Sequence, residues 1–134
     1  MVSATTCSKM DAFVQKYTNK LSEKSEESPN NECRLWTGTV SHSKLYGVIN
    51  FKHPFKHKWQ QMKVHRFCYM LFTGNFDISQ YLDCSHICHN NMCINPSHIS
   101  LEPRHINNNR NVCKDRKVCM SHGQYQDCRI DLTL

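Results

Sequence analysis

The chain has 134 residues, of which 39% are apolar, nine are cysteine and 17 are lysine or arginine. This length fits one domain, and no stretch approaches the roughly 20 apolar residues of a membrane helix, so we expect no membrane partner. Residues 33–134 hold 13 of the 17 basic side chains and six of the 11 acidic ones. This basic part suits a polyanion, although a solvated surface with spare lysines explains the same charge.

The nine cysteines favour metal binding over disulfides. An odd number leaves one thiol unpaired in any complete disulfide scheme, and Met1–Val14 has no apolar run typical of a secretory signal. We therefore expect an intracellular, reducing compartment, where cysteine and histidine spacing indicates zinc. A core with so few apolar residues would also gain stability from metal sites.

The first predicted element is an amphipathic helix over residues 8–22. Its apolar side chains recur with the helical period and share the face that we expect to pack on the core: Met10, Phe13, Val14, Tyr17 and Leu21. The segment Ser22–Asn31 is rich in serine and glutamate and contains Pro29, which is typical of a linker. We therefore predict a helix with its linker over residues 1–32 and a main domain over residues 33–134.

Twisted β structure is predicted for residues 33–64, followed by a helix over Val64–Thr73 that Gly74 ends. Within the β region, the run 52–58 interleaves lysine and histidine with an aromatic ring. A basic strand pair of this kind can follow DNA phosphates, although a solvated hairpin gives the same pattern. The lysines expected to contact DNA are Lys52, Lys56 and Lys58.

Cysteine and histidine become frequent after residue 84, at spacings that suit tetrahedral zinc. One group closes within 16 residues and has four ligands: Cys113, Cys119, His122 and Cys128. Another has three, Cys88, Cys93 and His98, and needs a fourth from elsewhere. We expect that ligand to be Cys33, with Cys84 as its rival, and a disulfide cluster is the alternative to both zinc sites.

A structural zinc uses all four of its ligands, so any chemistry requires other groups. His86 precedes the ligand Cys88 by two residues, which would place both side chains on one face of a strand. Residues 99–102 alternate apolar and polar side chains, as a returning strand does, and Pro103 can open a helix that runs to about Val112. A β-hairpin followed by a helix would place His86 opposite polar side chains of that helix.

The predicted helix carries three consecutive asparagines, Asn107, Asn108 and Asn109, which are poor helix formers. An amide oxygen suits a hard cation such as Mg²⁺, which takes its remaining ligands from water and phosphate. Helix capping or plain solvent exposure is the alternative explanation of this run.

The segment from Ser85 to Cys113 resembles the His-Cys box homing endonucleases, which belong to the His-Me finger, or ββα-metal, nucleases. The residues that carry the resemblance are Ser85-His86-Ile87-Cys88-His89-Asn90, Cys93, Asn95-Pro96, His98, Asn107, Arg110 and Cys113. It extends more weakly to Tyr46-Gly47-Val48, Lys58-Trp59-Gln60 and Val64-His65-Arg66. It implies an α+β fold: a small twisted antiparallel sheet with a ββα-metal core stapled by two zinc sites, plus the N-terminal helix.

The resemblance also implies roles for single residues. His86 matches the general base that activates water, and Asn107 matches the one protein ligand of a catalytic Mg²⁺. Cys33, Cys88, Cys93 and His98 match the first structural zinc site, and Cys113, Cys119, His122 and Cys128 match the second. The implied activity is metal-dependent hydrolysis of DNA phosphodiester bonds, with Lys58, Arg110 and neighbouring cations holding the backbone.

Two departures from the family pattern bear on these expectations. Lys58 stands where the family has an arginine that helps stabilise the phosphate in catalysis; lysine keeps the charge but loses the bidentate fork. The family continues into a long C-terminal dimerisation arm, whereas six residues follow Cys128 here, so a monomer and a dimer both stay open. A DNA substrate predicts a nuclear protein. The alternative functions are a zinc-stapled DNA-binding or chromatin module without catalysis and a protein-interaction zinc domain.

Overall fold

A computed structural model describes residues 4–29 and 31–130; residues 1–3, Asn30 and the last four positions of the expected main domain lie outside the described residues. The fold is α+β, as the resemblance implied, and the described residues form three α-helices, a short 3₁₀ helix at Pro96–His98 and three two-stranded antiparallel sheets. In chain order the elements are α1 (Ala4–Glu23), β1 (Ser25–Glu27), β2 (Arg34–Trp36), β3 (Val48–Lys52), β4 (Trp59–Lys63), α2 (Val64–Thr73), β5 (Leu82–His86), β6 (Ile99–Pro103) and α3 (Arg104–Arg116). None of the described helices combines the length and the apolar character needed to cross a membrane.

Helix α1 packs its predicted apolar face against the core. Tyr17 is buried, and its ring centroid lies 5.3 Å from that of Phe67 and 6.3 Å from that of Phe51, in edge-on geometry. Such aromatic pairs contribute beyond the apolar area that they bury. Phe13 and Leu21 join the same cluster, so the helix shares one hydrophobic core with β3 and α2.

The segment expected to be a linker contains strand β1, which pairs antiparallel with β2. Glu26 lies opposite Leu35 in this pair. Strand pairing uses backbone hydrogen bonds, which exposed serine and glutamate side chains do not prevent. The polar composition of this segment therefore indicated its exposure but not its pairing.

Strands β3 and β4 form a hairpin in which Val48 lies opposite Lys63 and Lys52 lies opposite Trp59. Gly47, directly before β3, lies against the indole of Trp36. A Cβ atom at this glycine would come within 2.3 Å of that ring, so a larger residue does not fit without displacing it. The close approach holds the start of the hairpin on the core.

Helix α2 spans the predicted residues, Val64–Thr73, and ends as predicted at Gly74. Gly74 adopts a left-handed φ of 72°, and its N–H donates to the carbonyl oxygen of Met70. Glycine takes this conformation without steric cost, which accounts for the end of the helix. The side chains of Phe67 and Leu71 on α2 are buried in the core.

The ββα unit consists of β5, β6 and α3. The two strands pair with His86 opposite Ile99 and Asp83 opposite Glu102. The sequence had predicted that His86 and Cys88 share one face of a strand. Strand β5 ends at His86, however, so Cys88 lies in the following loop. Pro103 is the residue before the first turn of α3, and the helix runs four residues past the predicted Val112.

Candidate metal centres and polar cleft

The first metal centre joins the loop after β5 to the start of β2. The side chains of Cys33, Cys88, Cys93 and His98 bring their ligand atoms within 4.8 Å of one another. Backbone hydrogen bonds from Trp36 N–H to Met92 O and from Ile94 N–H to Arg34 O hold β2 against this loop. This pairing explains how a cysteine 55 positions before Cys88 in the chain reaches the site.

The distances in this first tetrad fit zinc. The Nδ1 atom of His98 lies 3.6 Å from the Sγ atoms of both Cys33 and Cys93. Bonds of 2.3 Å to sulfur and about 2.05 Å to nitrogen at the tetrahedral angle give a separation of about 3.6 Å. The rival ligand, Cys84, is buried elsewhere on β5, where burial raises the pKa of its thiol to about 11.

The second metal centre follows α3 and contains Cys113, Cys119, His122 and Cys128. The Nε2 atom of His122 lies 3.5 Å from Cys113 Sγ and 3.4 Å from Cys128 Sγ, again close to a tetrahedral edge. The backbone N–H groups of Met120 and Cys128 donate to the sulfur atoms of Cys113 and Cys119. The two tetrads support two structural zinc ions. The sequence spacing predicted the second tetrad in full and three ligands of the first, with Cys33 as the expected fourth.

Arg110 ties the second centre to the ββα unit. Its guanidinium donates to both carboxylate oxygens of Glu102 at 2.7 Å, to the carbonyl oxygen of Gln126 and to Cys128 Sγ. Its side chain is 2% exposed and that of Glu102 is 0% exposed. Burial acts to raise the pKa of Glu102, but the hydrogen bonds from Arg110 hold it below its usual range. The hydrogen bonds of the Arg110 guanidinium therefore lie inside the protein, although the residue borders the cleft that also contains His86, and its contact with a DNA backbone stays a prediction.

His86 lies at the end of β5, and its ring is held by a hydrogen bond to the loop that contains Cys88 and Cys93 of the first tetrad. Its Nε2 atom is 2.9 Å from the carbonyl oxygen of Cys93. A carbonyl oxygen can only accept, so Nε2 carries the proton and Nδ1 of the neutral ring keeps its lone pair. Burial lowers the pKa of His86, which favours this neutral form. Among the described residues, no hydrogen-bond partner faces Nδ1.

Two rings, those of His65 and Tyr46, pack beside His86. The centroid of the His65 ring lies 4.1 Å from that of His86, and Tyr46 stacks on both imidazoles. His65 donates through Nε2 to the carbonyl oxygen of Cys84, and burial lowers its pKa to about 3, so it is neutral. The Nζ atom of the exposed Lys63 side chain lies 4.3 Å from the centroid of the Tyr46 ring.

A polar cleft of about 560 Å³ runs along β5 and the exposed side of α3. Its lining includes Lys63, Asp83, His86, Arg104 and Asn107. The cleft therefore brings together the two side chains that the sequence singled out for catalysis. A larger and more apolar cleft of about 740 Å³ between α1, β1 and α2 holds neither of them.

Within the asparagine run, the structure distinguishes the three positions. Asn107 is half-buried and lines the polar cleft, Asn108 lines it but is exposed, and Asn109 is exposed and does not line it. The Nδ2 atom of Asn107 donates to Asp83 Oδ2 at 3.1 Å. This contact joins α3 to β5 beside His86.

The hairpin lysines lie apart from the cleft. Lys52, Lys56 and Lys58 are exposed on the β3–β4 hairpin and its turn, and none of them lines the polar cleft. Sequence reasoning missed Lys63 and Asp83, which do line it. The signal for Lys63 was its place four residues after Trp59 on one strand face; nothing local distinguished Asp83 from other surface acids.

Comparison with known proteins agrees with this geometry. Residues 32–130 match the family model described as the zinc-binding loop region of homing endonuclease. The match covers both tetrads, the ββα unit and the basic hairpin. No curated protein and no solved structure matches the chain significantly.

Proposed function

The chain belongs to the family of the zinc-binding loop region of homing endonuclease, and from this premise we propose that it is a Mg²⁺-dependent endonuclease that hydrolyses DNA phosphodiester bonds. The observation that carries the proposal is the polar cleft, in which a histidine with a free, unprotonated Nδ1 and an asparagine amide lie on facing elements of a ββα unit. One tetrad has three of its ligands between β5 and β6 and the other begins in α3, so bound zinc would stiffen the unit that carries the cleft.

His86 is the proposed general base. Its Nδ1 accepts a proton from water while the water oxygen bonds to phosphorus. The bond from phosphorus to the 3′ oxygen breaks, and that oxygen takes a proton from solvent. The products are a 5′ phosphate and a 3′ hydroxyl. The hydrogen bond from Nε2 to Cys93 O fixes the tautomer that this step needs, and the packed rings of His65 and Tyr46 fix the plane of the imidazole.

Asn107 is the proposed protein ligand of the divalent cation. When bound, that cation neutralises charge developing on the phosphate and on the leaving oxygen. An amide oxygen at a half-buried position of a polar cleft suits a hard cation that keeps several waters. Asn108 and Asn109 are exposed and remain free for solvent.

Two sets of cations are proposed to contact DNA. Lys52, Lys56 and Lys58 on the hairpin would follow the backbone outside the cleft, as the resemblance implies for Lys58. Lys63, inside the cleft, is the lysine that we assign to the phosphate under attack, because it shares this space with His86 and Asn107. A DNA substrate also leads us to propose a nuclear location.

Plasmid relaxation tests the proposal. The zinc-loaded protein is incubated with supercoiled DNA, with and without added Mg²⁺, beside the variants His86→Ala and His42→Ala. His42 is exposed and does not line the cleft, so it controls for the loss of an imidazole. We expect Mg²⁺-dependent nicking by the wild type and the control, and none by His86→Ala.

The competing function is a zinc-stapled DNA-binding module without catalysis, since a nuclease fold can lose activity and keep binding. Retarded migration of DNA without nicking, in the wild type and in His86→Ala alike, would establish that module and overturn the nuclease.

A further inference from the structure

We propose that Asp83 is a second protein ligand of the divalent cation, so that the cation is held from β5 as well as from α3. This inference rests on the proposed function, because it deepens the site assigned to Asn107. The resemblance to known nucleases assigned one protein ligand to this cation. Asp83 enters because the fold places its carboxylate in the same cleft as Asn107 and His86.

The separation of the two side chains suits a shared cation. Asp83 Oδ2 lies 3.1 Å from the terminal amide atom of Asn107. Two oxygens at right angles on a magnesium ion, each 2.0–2.1 Å from it, are about 2.9 Å apart. The oxygen and nitrogen of an asparagine amide exchange places by a half-turn of the side chain. After that turn, an amide oxygen and a carboxylate oxygen face one another at a distance that only a cation between them makes favourable.

Charge in the polar cleft points the same way. Asp83 is the one acidic side chain among the residues that line it, whereas five are basic: Lys63, Arg66, Arg104, Arg110 and Lys114. An uncompensated carboxylate would repel the phosphate that the surrounding cations attract. A divalent cation between them reverses this repulsion, since it neutralises the carboxylate and leaves positive charge for the phosphate.

The neighbouring acid is excluded by its own contacts. Glu102 lies opposite Asp83 in the strand register, but it is fully buried and both of its oxygens accept from Arg110. Asp83 keeps 18% of its side-chain surface exposed, so it can be reached from the cleft. Of the two acids on this hairpin, only Asp83 can therefore contribute to a site for a cation.

An ion pair with Arg104 is the competing explanation for the Asp83 carboxylate in this cleft. Its Nε and Nη2 atoms each lie 3.4 Å from one of the carboxylate oxygens, and its side chain is 74% exposed. Exposed ion pairs of this length contribute little to stability. The exposed Arg104 side chain can move away from Asp83 into solvent, where its own charge stays hydrated. Arg104 and the cation would then compete for Asp83, which gives the two explanations opposite consequences.

Binding of Mn²⁺ to the zinc-loaded protein, measured by electron paramagnetic resonance, tests the inference without cleavage. We expect Asp83→Asn to weaken Mn²⁺ binding about tenfold or more, as Asn107→Ala does, because each removes a ligand. Removal of the competitor by Arg104→Gln should tighten binding. Asp115→Asn, an exposed acid on the same helix outside the cleft, should change nothing. Zinc content of two per chain and an unchanged circular dichroism spectrum establish that each variant is folded.

If Asp83→Asn binds Mn²⁺ as tightly as the wild type, Asp83 belongs to its ion pair with Arg104 and the inference is overturned. An unchanged Mn²⁺ affinity in Arg104→Gln would accompany that result. Absence of any Mn²⁺ site in the wild type would overturn it as well. A cation site that depends on Asp83 in a protein that never nicks DNA would retain the ligand and refute the nuclease, so the two failures are distinguishable.

Discussion

His86 donates a hydrogen bond from Nε2 to the carbonyl oxygen of Cys93, a residue of the first metal tetrad, at 2.9 Å. The loop that holds a zinc ion thus also decides which nitrogen of the proposed base carries the proton. In a small domain with a thin core, this arrangement makes the metal part of the pre-organisation of the cleft. Structural zinc and proposed catalysis are therefore connected through one backbone carbonyl.

Zinc stoichiometry should follow the two tetrads. We expect native mass spectrometry to find two zinc ions in the wild type and one in Cys88→Ser, because three ligands do not retain a structural zinc at submicromolar metal. Cys84→Ser serves as the matched control, since Cys84 lies outside both tetrads, and should retain two. Two ions in Cys88→Ser, or disulfides in place of metal, would contradict the assignment.

Much of this arrangement follows from spacing alone. Both tetrads, helix α2 with its terminal glycine, and the hairpin before α3 were predicted because ligand intervals and apolar periodicity are local properties of the chain. The fourth ligand, Cys33, was expected because it stands at the start of the β region, where a distant ligand would join sheet and loop, and the family resemblance implied the same residue. Its approach depends on hydrogen bonds between β2 and the loop at Met92–Ile94, which no local pattern encodes.

Contacts between side chains on different helices and strands could not be predicted from the sequence. Arg110 is basic and lies on a helix otherwise rich in polar residues, so the sequence favoured an exposed phosphate contact. Its burial depends on Glu102, eight residues away on β6, pointing at the same side of the unit. Likewise, the contact between Asp83 and Asn107 arises only once β5 and α3 are packed. Such pairs depend on how helices and strands pack, which the local sequence pattern does not specify.

Lys63 and Lys58 should differ in kind when each is changed to alanine. Lys63→Ala should lower the rate of nicking at saturating DNA about 100-fold, the scale of losing one pre-organised charge contact at a reacting phosphate. Lys58→Ala should weaken binding and reduce the slope of log affinity against log salt by about 1, with little effect on the saturated rate. Single-turnover rates and affinities at several salt concentrations separate the two. If Lys58→Ala lowers the saturated rate of nicking as much as Lys63→Ala does, Lys58 also contacts the phosphate under attack.

Gly47→Ala should destabilise the fold. A Cβ atom at this position meets the Trp36 ring at 2.3 Å and a methyl group of Val64 at 2.7 Å, so the core must shift. We expect a loss of about 1–3 kcal/mol, the usual cost of overpacking. Urea unfolding of the zinc-loaded protein, followed by tryptophan fluorescence, measures it. Stability equal to that of the wild type would mean that the indole moves freely.

Arg110→Met should be the most damaging single change outside the metal ligands. It leaves the Glu102 carboxylate buried without its partner, which costs about 3–5 kcal/mol. The double variant Glu102→Met with Arg110→Met removes both charges and should recover most of that loss, since apolar replacements of a buried pair are often neutral. Arg104→Met, at an exposed ion pair, should cost less than about 1 kcal/mol. Unfolding at saturating zinc measures all three. Failure of the double variant to recover would show that the contacts of Arg110 with Gln126 and Cys128, rather than the charge of Glu102, require the arginine.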